Sequence, residues 1–146
     1  MKITVRKIAQ GEELTASQIE KECLKTAWSE KQIASLPETA VYLVALCGET
    51  VCGIASMYCV FDEGQIMNIA VLPDYRKQGI ASQLLDELLR VAADKHCEIL
   101  TLDVAENNFS ALALYKKQGF CEIGRRKRFY GDCDAILMEK TICSEK

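Results

Sequence analysis

The sequence predicts an α/β protein (α+β, mixed sheet) with elements in the order β-α-α-β-β-β-α-β-α-β-β. Three observations predict it. Between residues 41 and 71 the apolar residues alternate or run on continuously, as strands do, and between residues 79 and 95 they recur with a helical period. Strand-like runs precede and follow that helix, so it reads as a crossover that places two strands parallel. Ahead of it, short turn signals separate successive apolar runs, the mark of a meander.

Each element follows from its residues. Residues 2–8 read as a strand. Residues 15–26 carry Ile19, Cys23 and Leu24 on one stripe, continued by Ala27, and read as a helix. A second, short helix starts at Ser29, an N-cap candidate with Gln32 three residues on, and Pro37 closes that region. Residues 41–47 are a continuous apolar run, a buried strand. Gly48-Glu49-Thr50 marks a hairpin, and residues 51–61 return as its partner. Asp62-Glu63-Gly64 turns again before a strand over 66–71 that alternates around Asn68. Over 79–95, Ala81, Leu84, Leu85, Leu88 and Ala92 share one helical face. Residues 98–104 are a strand. Residues 108–118 form a short helix, with Asn108 as its N-cap and Gly119 as its C′ residue. Residues 120–129 and 134–142 close the chain as two strands around Gly131-Asp132.

The 146 residues suffice for one domain, 1–146, and are too few for two ordinary ones. Composition is globular, at 49% hydrophobic and 27% charged. With 18 basic and 21 acidic residues the net charge is −3, which argues against broad binding to nucleic acid. No apolar run approaches the roughly 20 residues that span a bilayer. Residues 1–7 lack the apolar core and cleavage site of a signal peptide. A cytoplasmic protein without a membrane partner is expected. The eight cysteines include no C-x-x-C pair and the only histidine is His96, so no metal is expected. The thiols read as reduced, structural residues within apolar runs. His96, near the end of the long helix, is assigned no catalytic role.

Residues 71–81 join a strand to that helix. A loop that delivers free N–H groups to a helix N-terminus is a site for a phosphate, which the helix dipole also favours. Gly79 removes a Cβ where backbone must approach such a ligand, and Arg76 and Lys77 add positive charge. The same residues also suit a plain turn with solvated basic side chains. The loop is neither a Walker loop nor a G-x-G-x-x-G turn.

Arg76-x-x-Gly79-x-Ala81, after a strand and before an amphipathic helix, resembles the acetyl-CoA motif of the GNAT acetyltransferases, R/Q-x-x-G-x-G/A. A second block, Asn108-x-x-Ala111-x-x-Leu114-Tyr115-x-x-x-Gly119-Phe120, is similar to the superfamily's N-x-x-A-x-x-L-Y-x-x-x-G-F. Four further stretches resemble the bacterial ribosomal-protein-alanine N-acetyltransferases, the RimI type. They are Ala27-Trp28-Ser29-Glu30 (P-W-S-E in that family), residues 68–75 (N-I-A-V-x-P-x-Y/F) and Leu102-Asp103-Val104 (L-E-V). The fourth is Arg128-Phe129-Tyr130 with Asp134-Ala135-Ile136-Leu137-Met138 (N-Y-Y…E-D-A-x-x-M). The sequence departs at Ala27 for proline, at Asp103 for glutamate, and in the short loop Gly131-Asp132-Cys133.

The resemblance implies the GNAT fold and transfer of an acetyl group from acetyl-CoA to the α-amine of a protein N-terminus, an alanine of a ribosomal protein. The alternatives are a small-molecule amine or a lysine side chain as acceptor, and a CoA-binding sensor without catalysis. It implies that backbone N–H groups of Arg76, Lys77, Gln78, Gly79, Ile80, Ala81 and Ser82 hold the cofactor's pyrophosphate. The backbone of Ile69, Ala70 and Val71 pairs with the pantetheine arm, and Asn108 touches CoA besides capping its helix. Asp103 becomes the base, through water, and Tyr115 the acid that protonates the leaving thiolate. Trp28 and Tyr130 become substrate-side residues. From the residues alone Asp103 also suits a strand-end carboxylate paired with a basic neighbour, and Tyr115 a core aromatic. The run Arg125-Arg126-Lys127-Arg128 reads either as solvated surface or as a partner contact.

Overall fold

The computed structural model describes residues 2–129, 131 and 133–142. The observed order is β1 (Ile3–Lys7), α1 (Glu13–Cys23), α2 (Glu30–Ala34), β2 (Ala40–Cys47), β3 (Thr50–Val60), β4 (Glu63–Val71), α3 (Ile80–Asp94), β5 (Ile99–Ala105), α4 (Phe109–Lys117), β6 (Cys121–Arg126) and β7 (Ala135–Thr141). Every expected element is present in the expected order, and a single 3-10 turn at Pro73–Tyr75 is added. The seven strands hydrogen-bond as one mixed sheet, β1-β2-β3-β4-β5-β7-β6. The chain divides into two compact units, residues 1–58 with 68–91 and residues 59–67 with 92–146.

In the first unit β1, β2 and β3 pair antiparallel, Ile3 opposite Cys47 and Tyr42 opposite Ser56. One sheet face receives α1 and α2. Its core is Ala16, Ile19, Ile33, Tyr42, Val44, Leu46, Ile54 and Ala70, with Leu24, Trp28 and Leu36 packed at the edge. On α3, Ile80, Leu84, Leu85 and Leu88 are at most 1% exposed, each side chain contributing roughly 1.5–3 kcal/mol by leaving water. The buried stripe thus begins at Ile80, and the expected Ala81 is only half-buried. Gly53 permits this packing. A Cβ there would meet Ala70 O at 3.0 Å and Leu84 Cδ1 at 3.3 Å. Helix α1 ends earlier than residue 26, because Leu24 is already extended (φ −120°, ψ 147°).

In the second unit the start of β4 lies parallel to β5, Glu63 opposite Ile99 and Gln65 opposite Thr101, as the crossover predicted. That pairing corrects the expected start of β4 at Ile66. Non-local hydrogen bonding recruits Glu63-Gly64-Gln65 from the apparent turn, and the turn contracts to Phe61-Asp62 with Phe61 at φ +56°. Strand β7 pairs antiparallel with both β5 and β6. Strand β6 stops at Arg126 rather than 129, because Arg128 turns to φ +53° and its N–H donates to Asp134 Oδ1 at 2.9 Å.

Helices α3 and α4 end alike. After α3, Cys97 N–H donates to Ala92 O (2.9 Å) and His96 N–H to Ala93 O (3.0 Å), with His96 at φ +65°. After α4, Phe120 N–H donates to Tyr115 O (2.9 Å) and Gly119 N–H to Lys116 O (3.0 Å), with Gly119 at φ +97°. Both are Schellman closures. His96 therefore has a backbone task, terminating a helix in a conformation that few side chains adopt.

Candidate active site

The loop expected to hold phosphate lies in the first unit. The 3-10 turn folds Pro73–Tyr75 back, and Arg76 N–H donates to Pro73 O at 3.3 Å. The amide of Arg76 is thus engaged within the turn. Beyond it Lys77 takes φ +63° and Gly79 φ +80°, two left-handed residues in a three-residue span. Such backbone turns aim N–H groups toward one point, where an anion sits. The first helical bond of α3 runs from Gln83 N–H to Gly79 O at 3.1 Å. By position, the N–H groups of Gly79, Ile80, Ala81 and Ser82 therefore have no acceptor in the helix. Gly79 has no side chain to cap them, and the first turn of α3 holds no acidic residue. A Cβ added at Gly79 meets nothing within 4 Å, so the glycine answers to its backbone conformation and to space above the loop, not to internal crowding.

The side chain of Arg76, though exposed, folds back onto the end of β4. Its Nε donates to Val71 O at 2.8 Å and its Nη2 to Cys23 Sγ at 3.7 Å. Cys23 Sγ also donates to Val71 O at 3.6 Å. The guanidinium thereby braces the loop against the end of β4, and the Val71 carbonyl accepts from two donors, Arg76 Nε and Cys23 Sγ. Ile69 is half-buried and Ala70 buried on β4, beside Val71.

Trp28, the expected substrate-side residue of this unit, lies between α1 and α2. Its N–H donates to Glu20 Oε1 at 2.9 Å, and its carbonyl accepts from Ser17 Oγ at 2.8 Å. Its ring lies 6.2 Å from Tyr42 and 6.3 Å from Tyr58, centroid to centroid. The next residue, Ser29, starts α2 through a full capping box with Gln32. Tyr42 Oη donates to Glu20 Oε2 at 2.5 Å, and burial together with that carboxylate pushes the phenol's pKa far above its ordinary value. Sequence reasoning missed Ser17, Glu20, Tyr42 and Tyr58. One signal was present: Glu20 falls on the apolar stripe of Ala16, Ile19 and Cys23, where a carboxylate needs a partner.

The second unit holds the expected acid and base. Asp103 sits in β5 opposite Leu137 of β7, half-buried on the face shared with Thr101 and Ala105. Among the described residues no basic side chain pairs with it. Tyr115 is 7% exposed, and its ring meets Phe120 edge-on at 5.6 Å. Because Phe120 is the residue that closes α4, helix closure and ring packing hold Tyr115 together. Asn108 caps α4, its Oδ1 accepting from Ala111 N–H at 3.2 Å. That use leaves the side-chain amide N–H₂ to act elsewhere. Tyr130, the other expected substrate-side residue, and Asp132 of its loop lie outside the described residues.

The basic run that ends β6 and follows it makes contacts within its own unit. Arg125 pairs with Glu106 at 3.0 Å and with Glu122 and Asp134 at 3.5 Å, and Arg126 lies over the Phe129 ring at 5.5 Å. Glu106 also accepts from Asp134 N–H at 3.0 Å, so this network ties the end of β5 to the start of β7. The seven described cysteines are free thiols. Burial, then the neighbouring Cys97 thiol, pushes Cys59 up to about 12, which keeps it protonated and unreactive. Among the described residues no group of three metal-ligating side chains converges, and no helix is long and apolar enough to cross a membrane. A surface depression lined by Val5, Gln83, Asp86, Glu87 and Arg90 includes none of the candidate residues.

The element order, the parallel β4–β5 pair bridged by α3 and the anion-ready start of α3 define an acyl-CoA N-acyltransferase fold. The acetyltransferase (GNAT) family model matches residues 7–120. The ribosomal protein bS18-alanine N-acetyltransferase of Escherichia coli (strain K12) is 34% identical over 132 residues, 87% of this chain and 89% of that one. The crystal structure of the ribosomal-protein-S18-alanine N-acetyltransferase from Escherichia coli superposes with a TM-score of 0.90 at 30% identity, covering 99% of this chain and 97% of that chain. A GNAT family acetyltransferase from Elizabethkingia anophelis, solved with acetyl-CoA bound, gives 0.77 at 25% identity over 95% and 97% of the two chains. The chain belongs to the GNAT acetyltransferase family, and its enzyme class, acetyl-CoA-dependent N-acetyltransferase, is that of the family.

Proposed function

We propose that this enzyme transfers the acetyl group of acetyl-CoA to the N-terminal α-amine of a ribosomal protein, with alanine as the acetylated residue. The observation that carries this reading is the likeness to the Escherichia coli bS18-alanine N-acetyltransferase across 87% of the chain. A cytoplasmic location belongs to the same proposal, since ribosomal proteins are made there, and no nucleic acid or membrane partner is part of it. So does a single domain over 1–146; the family match over 7–120 takes in parts of both compact units.

In this reading the backbone N–H groups of Lys77, Gln78, Gly79, Ile80, Ala81 and Ser82 hold the pyrophosphate, and Arg76 braces their loop. Ile69, Ala70 and Val71 offer backbone groups to the pantetheine arm as a neighbouring strand would. The amide of Asn108 contributes a donor to CoA. The neutral α-amine attacks the thioester carbonyl, forming the C–N bond. Asp103 receives the proton that the nitrogen sheds, through a bridging water that its side chain, one methylene shorter than glutamate, favours. As the C–S bond breaks, Tyr115 Oη–H protonates the thiolate. An α-amine with a pKa of roughly 8 needs only this modest help near neutrality, whereas a lysine at roughly 10.4 needs more. The absence of a basic partner for Asp103 among the described residues, and the fixed ring of Tyr115, support these roles.

The test uses a synthetic peptide with an N-terminal alanine and an internal lysine, free or blocked at its α-amine. Mass spectrometry is expected to find acetyl groups only on the free α-amine. Acetylated lysines in the blocked peptide, formed as fast as product from the free one, would replace this reading with a lysine or small-amine acceptor. Asp103→Asn should slow the reaction most below the amine's own pKa. The defect should shrink as pH rises through roughly 8, where the amine is neutral without a base.

A further inference from the structure

We infer that Glu20 is a positioning residue for substrate, acting through Trp28; the inference rests on the reading of Trp28 as a substrate-side residue. The Glu20 carboxylate is 0% exposed. No cation among the described residues pairs with it. Its two oxygens are held by neutral donors, Tyr42 Oη–H on one and Trp28 N–H on the other. A buried carboxylate is costly unless such bonds satisfy it, so position 20 would be better filled by an apolar side chain if packing were its only task.

The geometry shows what the carboxylate adds. Ser17, one turn before Glu20 and 1% exposed, donates to the carbonyl of Trp28 while Glu20 accepts from its N–H. Helix α1 therefore holds both backbone groups of one residue in the connection to α2. With the backbone of Trp28 fixed, the direction of its Cα–Cβ bond is fixed, and the indole packs against Tyr42 at 41° and Tyr58 at 67° between planes. Tyr42 serves twice, its hydroxyl anchoring Glu20 and its ring flanking Trp28. Removing the carboxylate releases the loop backbone and the flanking ring together. Glu20 itself is sealed from solvent and touches no substrate. Its effect must reach the peptide through the aromatic wall of Trp28, Tyr42 and Tyr58, and it should not reach acetyl-CoA.

Trp28 is the chain's single tryptophan, so its emission reports this wall directly. The probes are acetyl-CoA and a synthetic peptide with a free N-terminal alanine. Glu20→Ala should red-shift the emission and raise the peptide KM about tenfold or more, with acetyl-CoA affinity by calorimetry within about twofold of wild type. Glu20→Gln, which keeps an oxygen acceptor for Trp28 N–H, should recover most of the peptide KM. In a Trp28→Ala background, adding Glu20→Ala should change the peptide KM by less than about twofold. An equal loss in both backgrounds would show that Glu20 does not act through Trp28 and would overturn the inference, leaving the function intact. An unchanged peptide KM in Trp28→Ala alone would remove Trp28 from the substrate side and overturn the inference, again leaving the proposed acetyl transfer intact. If Glu20→Ala fails to fold, Tyr42→Phe takes its place: a several-fold rise in peptide KM with acetyl-CoA affinity unchanged is expected, and an unchanged KM overturns the inference.

Discussion

Helices α3 and α4 finish in the same way and start in opposite ways. Each closes with a left-handed residue and a Schellman pair of hydrogen bonds, through His96 and Cys97 in one and through Gly119 and Phe120 in the other. At its start, α4 is served by its own sequence, the Asn108 oxygen taking the N–H of Ala111. Helix α3 is preceded by a residue with no side chain, Gly79, in a loop with two left-handed residues, and holds no acidic group in its first turn. The difference teaches where function resides in each. A helix satisfied at both ends offers only side chains, and α4 offers Tyr115. A helix left open at its start offers backbone donors and a dipole, and α3 offers those.

The contrast breaks most sharply at Tyr115. Tyr115→Phe keeps the ring against Phe120 and the closure of α4 and removes one hydroxyl. Turnover should fall at least about tenfold, within the roughly 10² to 10⁴ that general acid–base groups supply. Melting temperature and acetyl-CoA affinity should barely move. Near-wild-type turnover with chemistry rate-limiting would assign thiolate protonation to water or to another group, and α4 would then be a structural helix only.

At the start of α3 the expected loss is in binding. Gly79→Leu should weaken acetyl-CoA by more than about tenfold, because a side chain would stand where the pyrophosphate approaches. The φ of +80° adds a second penalty, strain, which Gly79→Asn largely avoids because asparagine tolerates the left-handed region. Calorimetry on folded Gly79→Asn separates the two. A persistent loss of affinity supports close approach of the ligand. Full recovery would mean that conformation alone demands glycine here, and unchanged affinity in folded Gly79→Leu would remove the phosphate site from this loop.

What could be read from the residues, and what could not, divides along the same physical line. The cap of Asn108, the closing Gly119 and the capping box at Ser29 involve neighbours a few positions apart, and all three were legible. The stripe of α3 was legible to within one position. The start of β4 was not, because Glu63-Gly64-Gln65 looks like a turn until β5 supplies parallel partners at Ile99 to Thr101. Gly53 gave no local sign either, since its reason is Ala70 and Leu84. Within the site, Gly79 and Tyr115 stood inside motifs of contiguous residues. Ser17, Glu20 and Tyr42 did not, because the clamp on Trp28 joins a helix, a loop and a strand. The brace made by Arg76 was equally hidden: its charge suggested the phosphate, and its side chain went to Val71 O and Cys23.

The smallest expected effect sharpens the comparison at the start of α4, where one side chain is asked to do two things. Asn108→Ala removes the cap and should cost about 1 kcal/mol of stability, the ordinary value of such a residue. It should also lower acetyl-CoA affinity if the side-chain amide touches CoA, and the two losses cannot be separated in that variant. Asn108→Asp separates them. Aspartate caps as well as asparagine, and its charge suits a helix N-terminus, so stability should return. The carboxylate, though, replaces an N–H₂ donor with an acceptor and adds negative charge beside an anionic ligand. Acetyl-CoA affinity should therefore stay at or below that of Asn108→Ala while the melting temperature returns to that of wild type. If affinity recovers along with stability, Asn108 serves its helix alone, and the start of α4 is closed to the cofactor.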